Sequence, residues 1–410
     1  MCALWKTLDE RRRKIRENVL LHIPAGVELT DEQLLSVIEE QINEVEEEYL
    51  RLEDKKKLRH MVFNSLRKMD VLQDMLEDED VTEIMVNGPQ HIFIEKEGKL
   101  METGLSFEHQ ARLEDIAQQI ASAGNRIVNE SNPILDARLQ DGSRVNIVVP
   151  PIAIEGPVIT IRKFPKEAMT MKKLIQMGAV TEEVEEFLRK MVEAKYNIFI
   201  SGGTGAGKTT FLNILSNYIP HNERVITIED SAELQIQNID NLVRLEARNA
   251  NVEGKNEITI RDLVKSALRM RPDRIIVGEI RDSAAIDLLT AMNTGHDGSL
   301  STGHANSPID MLNRLETLVL MGLDIPLAAI RQQIASGIDL IVHLGRLRDK
   351  SRKVLEIAEV GKVEDGEIML RTLYEFREQG ERNGKVIGAL TKTEEQLQAR
   401  EKCQRAGVFV

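Results

Sequence analysis

Three textures of apolar and polar residues divide the chain. Residues 1–68 are densely charged, with apolar residues at helical spacing, and Thr30 ahead of Asp31-Glu32-Gln33-Leu34-Leu35 reads as an N-cap. Opposite-sign blocks at 44–48 and 55–57 predict a solvated helical hairpin with side-by-side charges. From residue 69 the period shortens to two. Strands are expected at 81–86, 91–95, 99–101, 145–149 and 158–162, with turns at Asn87-Gly88-Pro89 and Glu97-Gly98. Leu113, Ile116, Ala117, Ile120 and Ala121 fall on one helix face, and Gly124 follows as a stop. This predicts a small α+β domain over 69–165, joined by a linker at 166–181 to a larger region at 182–375. There the strands at 196–200, 224–228, 242–245 and 274–277 are apolar throughout and alternate with helices. That pattern means an α/β domain with a mostly parallel sheet covered on both faces. A late hairpin is expected from 354–360 and 368–370 over Asp365-Gly366, and 376–410 reads as a polar, peripheral tail.

The candidate chemistry sits on the loops that leave the C-terminal ends of those strands, where such sheets bind ligands. Gly202-Gly203-Thr204-Gly205-Ala206-Gly207-Lys208-Thr209 fits the phosphate-binding pattern G-x-x-x-x-G-K-[ST], between an apolar strand and a helix start. Backbone N–H groups of Gly203, Thr204, Gly205, Ala206, Gly207 and Thr210 would cradle a polyphosphate. Lys208 would contact the β- and γ-phosphates of ATP, and the Thr209 hydroxyl would ligate Mg2+. After the second strand comes Glu229-Asp230-Ser231-Ala232-Glu233, whose acids are placed near the metal: Glu229 through water, Asp230 as a further candidate. After the fourth comes Gly278-Glu279, where an ordinary second NTPase motif would end in Asp. Glu279 is the leading candidate to orient or deprotonate the attacking water, with Glu229 the second; a helix cap or loop charge is the alternative for each acid. In the stretch 294–306, His304 is read as a sensor of the γ-phosphate, and His296 either contacts the nucleotide or organises its loop. Arg138, Arg144 and Arg162 are surface ion-pair residues or, if their domain folds over the nucleotide, arginine fingers.

Composition narrows the partners. The 410 residues carry 54 Lys+Arg against 67 Asp+Glu, a net charge of −13, which disfavours a broad nucleic-acid footprint. Aromatics at 3% give few stacking platforms for single strands, so a nucleic-acid motor is the weaker alternative. Cys2 and Cys403 lack C-x-x-C spacing and read as free thiols of a reducing cytoplasm. No apolar run approaches the ~18 residues of a membrane span, and the first residues lack a secretory signal's apolar core. Arg11-Arg12-Arg13-Lys14 is a small cluster for an anionic membrane surface. No Asn-Lys-x-Asp guanine reader and no Leu-Ser-Gly-Gly-Gln stretch are present, which disfavours GTPases and ABC-type ATPases. A nucleotide-gated hub with little turnover is a further alternative that Gly278 permits.

Four blocks, SGGTGAGKTT (201–210), ITIEDSAELQ (226–235), RPDRIIVGEIRD (271–282) and TGHDGSLSTGHANS (294–307), together resemble the type II and type IV secretion and pilus-assembly ATPases. The resemblance is strongest to the CpaF/TadA branch of tight-adherence (Flp-type) pili. DVTEIMVNGP (80–89) and LDARLQDGSR (135–144) look like the family's N-terminal domain, and similarity runs from about 70 to 375. The resemblance implies a RecA-like ATPase domain behind a PAS-like domain, in a homo-hexamer. It also implies nucleotide between the domains with N-terminal arginines closing on it, and motion passed to an inner-membrane platform protein. The chain would then sit at the inner face of the cytoplasmic membrane through its partners. The Gly-Glu ending at 278–279 is normal in that family.

Overall fold

The computed structural model describes residues 2–23, 29–45, 50–96, 98–124, 126–164, 169–248 and 256–409. Residues 46–48 of the expected acidic block, the turn residue Glu97 and the start of the expected linker, 166–168, lie outside them. The chain forms two compact units, Met1–Glu167 and Ala168–Val410.

The first unit opens with helices α1 (Cys2–His22), α2 (Asp31–Val45) and α3 (Leu52–Arg67). Thr30 caps α2 as expected: its Oγ1 accepts from Gln33 N at 3.3 Å, and its own N–H donates to Gln33 Oε1 at 2.9 Å. The helices form a three-helix bundle rather than a hairpin, because Leu8, Ile15 and Val19, Leu34, Ile38 and Ile42, and Leu58 and Val62 share one buried cluster. Burying each such side chain is worth about 1.5–3 kcal/mol, more than surface charge pairs supply.

In the basic stretch of α1, Arg12 and Arg13 contact protein, whereas Lys14 is exposed. Arg12 is 1% exposed and donates to Asp70, which also accepts from Arg112 Nε at 2.8 Å. Arg13 reaches Ser106 at 2.9 Å, and Arg16 pairs with Glu108 at 2.7 Å. This corrects the membrane-contact expectation for Arg12 and Arg13.

A short helix α4 (Gln73–Glu77) leads into β1 (Val81–Asn87), β2 (His91–Lys96), β3 (Lys99–Glu102), α5 (Gln110–Ala123), β4 (Ile134–Arg138), β5 (Arg144–Val148) and β6 (Val158–Arg162). The sheet order is β3-β2-β1-β6-β5-β4, all antiparallel. The five apolar residues expected on one face of α5 are all buried, and Gly124 caps the helix. Strand β4 was not expected. It is an edge strand whose Asp136 and Ile134 are exposed, so its alternation is too weak to read.

The second unit starts earlier than expected. Thr170 caps α6 (Met171–Gln176), and buried Met171 and Val180 join the unit's core, so 169–181 is part of its fold rather than a linker. There follow α7 (Glu182–Glu193), β7 (Ile198–Gly202), α8 (Lys208–Ser216), β8 (Arg224–Glu229), β9 (Asn241–Glu246), α9 (Ile260–Ala267), β10 (Arg274–Val277), α10 (Ala284–Asn293), β11 (Leu300–Gly303), α11 (Pro308–Leu320) and α12 (Leu327–Gly337). Last come β12 (Leu340–Arg346), β13 (Arg352–Glu364), β14 (Glu367–Arg382), β15 (Lys385–Lys392) and α13 (Glu401–Ala406).

The nine-stranded sheet has the order β15-β14-β13-β12-β7-β11-β10-β8-β9. From β12 to β9 the strands are parallel; β13, β14 and β15 are antiparallel additions, which makes the sheet mixed. One face buries Ile198, Ile200 and Val342 under α7 and α8, and the other buries Phe199, Ile226, Ile228 and Ile341 under α9 to α12. Both faces are covered, which is why these strands are apolar without alternation.

The segment read as a peripheral tail belongs to the sheet. Residues 376–392 complete β14 and form β15, and buried Cys403 lies 3.4 Å from the Tyr196 hydroxyl, which itself donates to the Ala399 carbonyl. Exposed edge strands are necessarily polar on one side, and this masked their pairing. Among the described residues no helix is long and apolar enough to cross a membrane.

Asp70→Ala leaves the buried Arg12 guanidinium without its carboxylate and should destabilise the first unit by about 3 kcal/mol. Chemical denaturation followed by circular dichroism measures this; a wild-type midpoint would mean the Arg12–Asp70 pair adds nothing to docking of α1.

Candidate nucleotide-binding site

The glycine-rich loop leaves the C-terminal end of β7 and runs into α8. Gly207 caps the helix with φ at 95°, a conformation other residues adopt only under strain. The first turn of α8 thus directs its N–H groups and dipole toward the loop. Gly203, Thr204, Gly205 and Thr210 are exposed, Thr209 is half-buried, and Lys208 is 7% exposed. Lys208 Nζ donates to the Gly203 carbonyl at 3.1 Å and lies 3.2 Å from His304 Nδ1. Burial pushes the lysine pKa down, and Glu279 opposes the shift.

Charge at the strand ends follows the strand order. Lys208 comes after β7, His304 after β11, Glu279 after β10, and Glu229-Asp230 at the end of β8. Because β11 is the direct neighbour of β7, His304 reaches Lys208 on one side and Glu279 on the other, with Nε2 at 2.9 Å from Glu279 Oε1. Burial lowers the His304 pKa, so the ring is neutral at neutral pH. An ammonium can only donate, so Nδ1 accepts from Lys208 and the ring proton lies on Nε2, facing Glu279. Despite this approach, the buried Glu279 Oε1 has no hydrogen-bond partner among the described residues. Glu279 Oε2 accepts from Arg281 Nη2 at 2.7 Å, and Arg281 Nη1 is 3.8 Å from Asp230. The Glu279 backbone is held by both neighbours: Gly278 N donates to Ile228 O and Ile280 N to Thr302 O, each at 2.9 Å.

Gly278 stands where the sequence lacks an expected Asp, and packing gives the reason. A Cβ there would lie 3.0 Å from Glu229 Cγ, so the buried Glu229 occupies the room a side chain at 278 would need. Glu229 Oε1 accepts from Glu233 N at 2.8 Å and Leu234 N at 2.9 Å, whereas its buried Oε2 has no donor. Burial raises its pKa. Among the described residues no group of three His, Cys, Asp or Glu forms a cage for a cation. Mg2+ carried on a polyphosphate keeps much of its water and needs few protein ligands; the Thr209 hydroxyl and the unpartnered Glu229 Oε2 are groups such a hydrated ion could use.

The structure therefore brings Lys208, His304, Glu279 and, through Arg281, Asp230 together at one edge of the sheet. It does not bring His296 there. His296 precedes β11, at the opposite edge from the loop, and its Nδ1 meets the Ala291 carbonyl at 3.2 Å. It organises the turn after α10, and the nucleotide-contact expectation for it fails because β7 and β11 run parallel. Arg138, Arg144 and Arg162 belong to the first unit and form a row: Arg138 lies opposite Arg144, and Arg144 opposite Arg162. Directly opposite residues share a face, so like charges there repel. Arg162 also lies opposite Glu83, 3.6 Å away. Sequence reasoning missed Arg281 and Arg352. Arg281 had a signal, two positions after Glu279; Arg352, whose Nε donates to the Gly205 carbonyl at 2.8 Å, had none.

Because burial raises the Glu229 pKa, the folded unit holds that proton more tightly than the unfolded chain. Stability is given up as pH climbs from the ordinary value of 4.5 through the raised folded value, and the loss persists above it. Glu229→Gln keeps the Oε1 acceptor and removes the charge. Its unfolding midpoint should gain on wild type between pH 4 and pH 8; a constant difference across this range would contradict the assignment.

Residues 66–405 match the family described as type II/IV secretion system protein. A putative conjugal transfer protein of Mycobacterium tuberculosis is 34% identical over 311 residues, covering 74% of this chain and 87% of the relative. The type IV secretion system protein VirB11 of Bartonella henselae is 33% identical over 332 residues, covering 71% and 92%. The X-ray structure of the Legionella pneumophila ATPase DotB superposes with a TM-score of 0.50 at 21% identity, over 70% of this chain and 79% of that one, a likeness of fold. The glycine-rich loop, the Gly-Glu strand end and the histidine beside them thus have their context: this chain belongs to the type II/IV secretion system protein family.

Proposed function

We propose that this chain is an ATP-hydrolysing motor that works as a homo-hexameric ring, powering pilus assembly or protein export through an inner-membrane platform protein. The observation that carries this reading is the Lys208–His304–Glu279 chain at the glycine-rich loop. In it Lys208 leaves the Gly203 carbonyl for the β- and γ-phosphates of ATP. His304, neutral and in contact with Lys208, registers whether a γ-phosphate is present. Glu279 presents Oε1 to the attacking water while Arg281 holds Oε2. Thr209 would hold Mg2+, with Glu229 reaching it through water and Asp230 a further candidate, and the ion when bound would neutralise charge on the phosphates.

The row Arg138-Arg144-Arg162 suits an anion with several oxygens, and we assign it to the phosphates as arginine fingers; we read 69–165 as a PAS-like domain and the chain from 169 as RecA-like. The four sequence blocks favour the tight-adherence pilus branch. The conjugal-transfer name of a relative favours a second reading, export linked to DNA transfer. The net charge of −13 weighs against direct DNA contact. DNA that stimulates phosphate release would support the second reading.

Phosphate release and nucleotide binding by the intact chain test the proposal. Lys208→Ala should bind no ATP. Glu279→Gln should bind ATP within about threefold of wild type and lose roughly 100-fold or more in turnover, the usual worth of a positioned base. Turnover surviving in Glu279→Gln would move the base to Glu229, and a wild type that releases no phosphate would end the motor reading. Arg138→Ala and Arg144→Ala should depress turnover without lowering the unfolding midpoint.

A further inference from the structure

We infer that Arg352 is a positioning residue for the nucleotide: from outside the glycine-rich loop it fixes the Gly205–Ala206 peptide plane and with it the shape of the loop. The inference rests on the reading of that loop as a nucleotide site. A loop that grips phosphate with its N–H groups must send carbonyls the other way, and those carbonyls need donors of their own. Arg352 Nε donates to the Gly205 carbonyl at 2.8 Å. The peptide unit is planar and trans, so its other end, the Ala206 N–H, points to the opposite side. There it reaches the Gly203 carbonyl at 3.3 Å, the same atom that Lys208 Nζ meets at 3.1 Å. Arg352 on one side and the Gly203 carbonyl on the other thus hold this peptide. The arginine stem also runs beside the start of α8, with Cδ 3.7 Å from where a Cβ on Gly207 would stand.

The base of this strut is rigid. Arg352 is the first residue of β13, and the tight turn before it closes with Leu347 N on Ser351 O at 2.8 Å. Asp349 accepts from Val386 N at 2.9 Å, and its pKa is held down to about 2, so this tie to β15 does not titrate at neutral pH. Arg348 pairs with Glu378 at 2.7 Å and Glu381 at 3.0 Å on β14. On the other side Lys353 Nζ donates to the Gly178 carbonyl at 2.8 Å. The strut lies on the β12 side of the loop, whereas His304 and Glu279 lie on the β11 side. It therefore acts on the loop that holds the phosphates common to ATP and ADP, not on γ-phosphate chemistry.

Fluorescence titration of the intact chain with a labelled ADP tests this, with the unfolding midpoint measured in nucleotide-free buffer. Arg352→Ala should weaken ADP and ATP by the same factor, on the order of tenfold, the worth of one charged hydrogen bond. Arg352→Lys, which keeps a donor but not the fork, should recover most of that loss. KM for ATP should rise with the ADP constant, while kcat at saturation changes less. The side chain is exposed, so the midpoint should stay at the wild-type value; Arg352→Gln repeats the measurement if the alanine variant does not fold. ADP affinity unchanged in folded Arg352→Ala overturns the inference, as does a loss of affinity for ATP alone. A wild type that binds no ADP would instead strike the nucleotide reading itself.

Discussion

A lysine ammonium taken almost out of water constrains everything at this edge of the sheet. Lys208 is 7% exposed, and a buried cation is costly unless carbonyls and carboxylates surround it. The protein supplies the Gly203 carbonyl, a neutral histidine acceptor, and Glu279 beyond it. Glu279 is then shared with Arg281, and Arg281 with Asp230. The line follows the order of the parallel strands β7, β11, β10 and β8, whose C-terminal ends deliver Lys208, His304, Glu279 with Arg281, and Asp230 in turn.

The same packing explains the missing Asp at the end of β10. Glu229 fills the space beside residue 278, so one strand end carries the carboxylate and its neighbour has no side chain. Glu229 Oε1 is used to fold the Glu233–Leu234 backbone, and only Oε2 remains without a donor.

Ion pairs, buried in the first unit and partly exposed in the second, do the joining elsewhere. In the first unit Asp70 receives Arg12 from α1 and Arg112 from α5, tying the helical bundle to the sheet domain. In the second, Lys402 from α13 meets Asp297 and Asp339, both at 2.7 Å, and Asp339 also accepts from Asn197 N at 2.6 Å. Such pairs add little net stability compared with apolar contacts, but losing one partner is costly, so they specify which segments dock.

Local signals carried much of this protein. The glycine-rich loop, the apolar strands 198–202, 224–229 and 274–277, the α5 face and the Thr30 cap were legible because period, cap chemistry and glycine placement are properties of neighbouring residues. Lys208, Glu279 and His304 were legible as candidates because each follows such a strand. What only the tertiary structure decided depends on which strand lies beside which. Parallel pairing of β7 with β11 put His304 beside Lys208 and sent His296 to the far edge, although the two histidines are close in sequence. Antiparallel addition of β13 to β15 brought Arg352 to Gly205, and it turned a polar tail into sheet. Register between distant strands is set by burial of whole faces, a sum over many residues, and no single stretch of chain contains it.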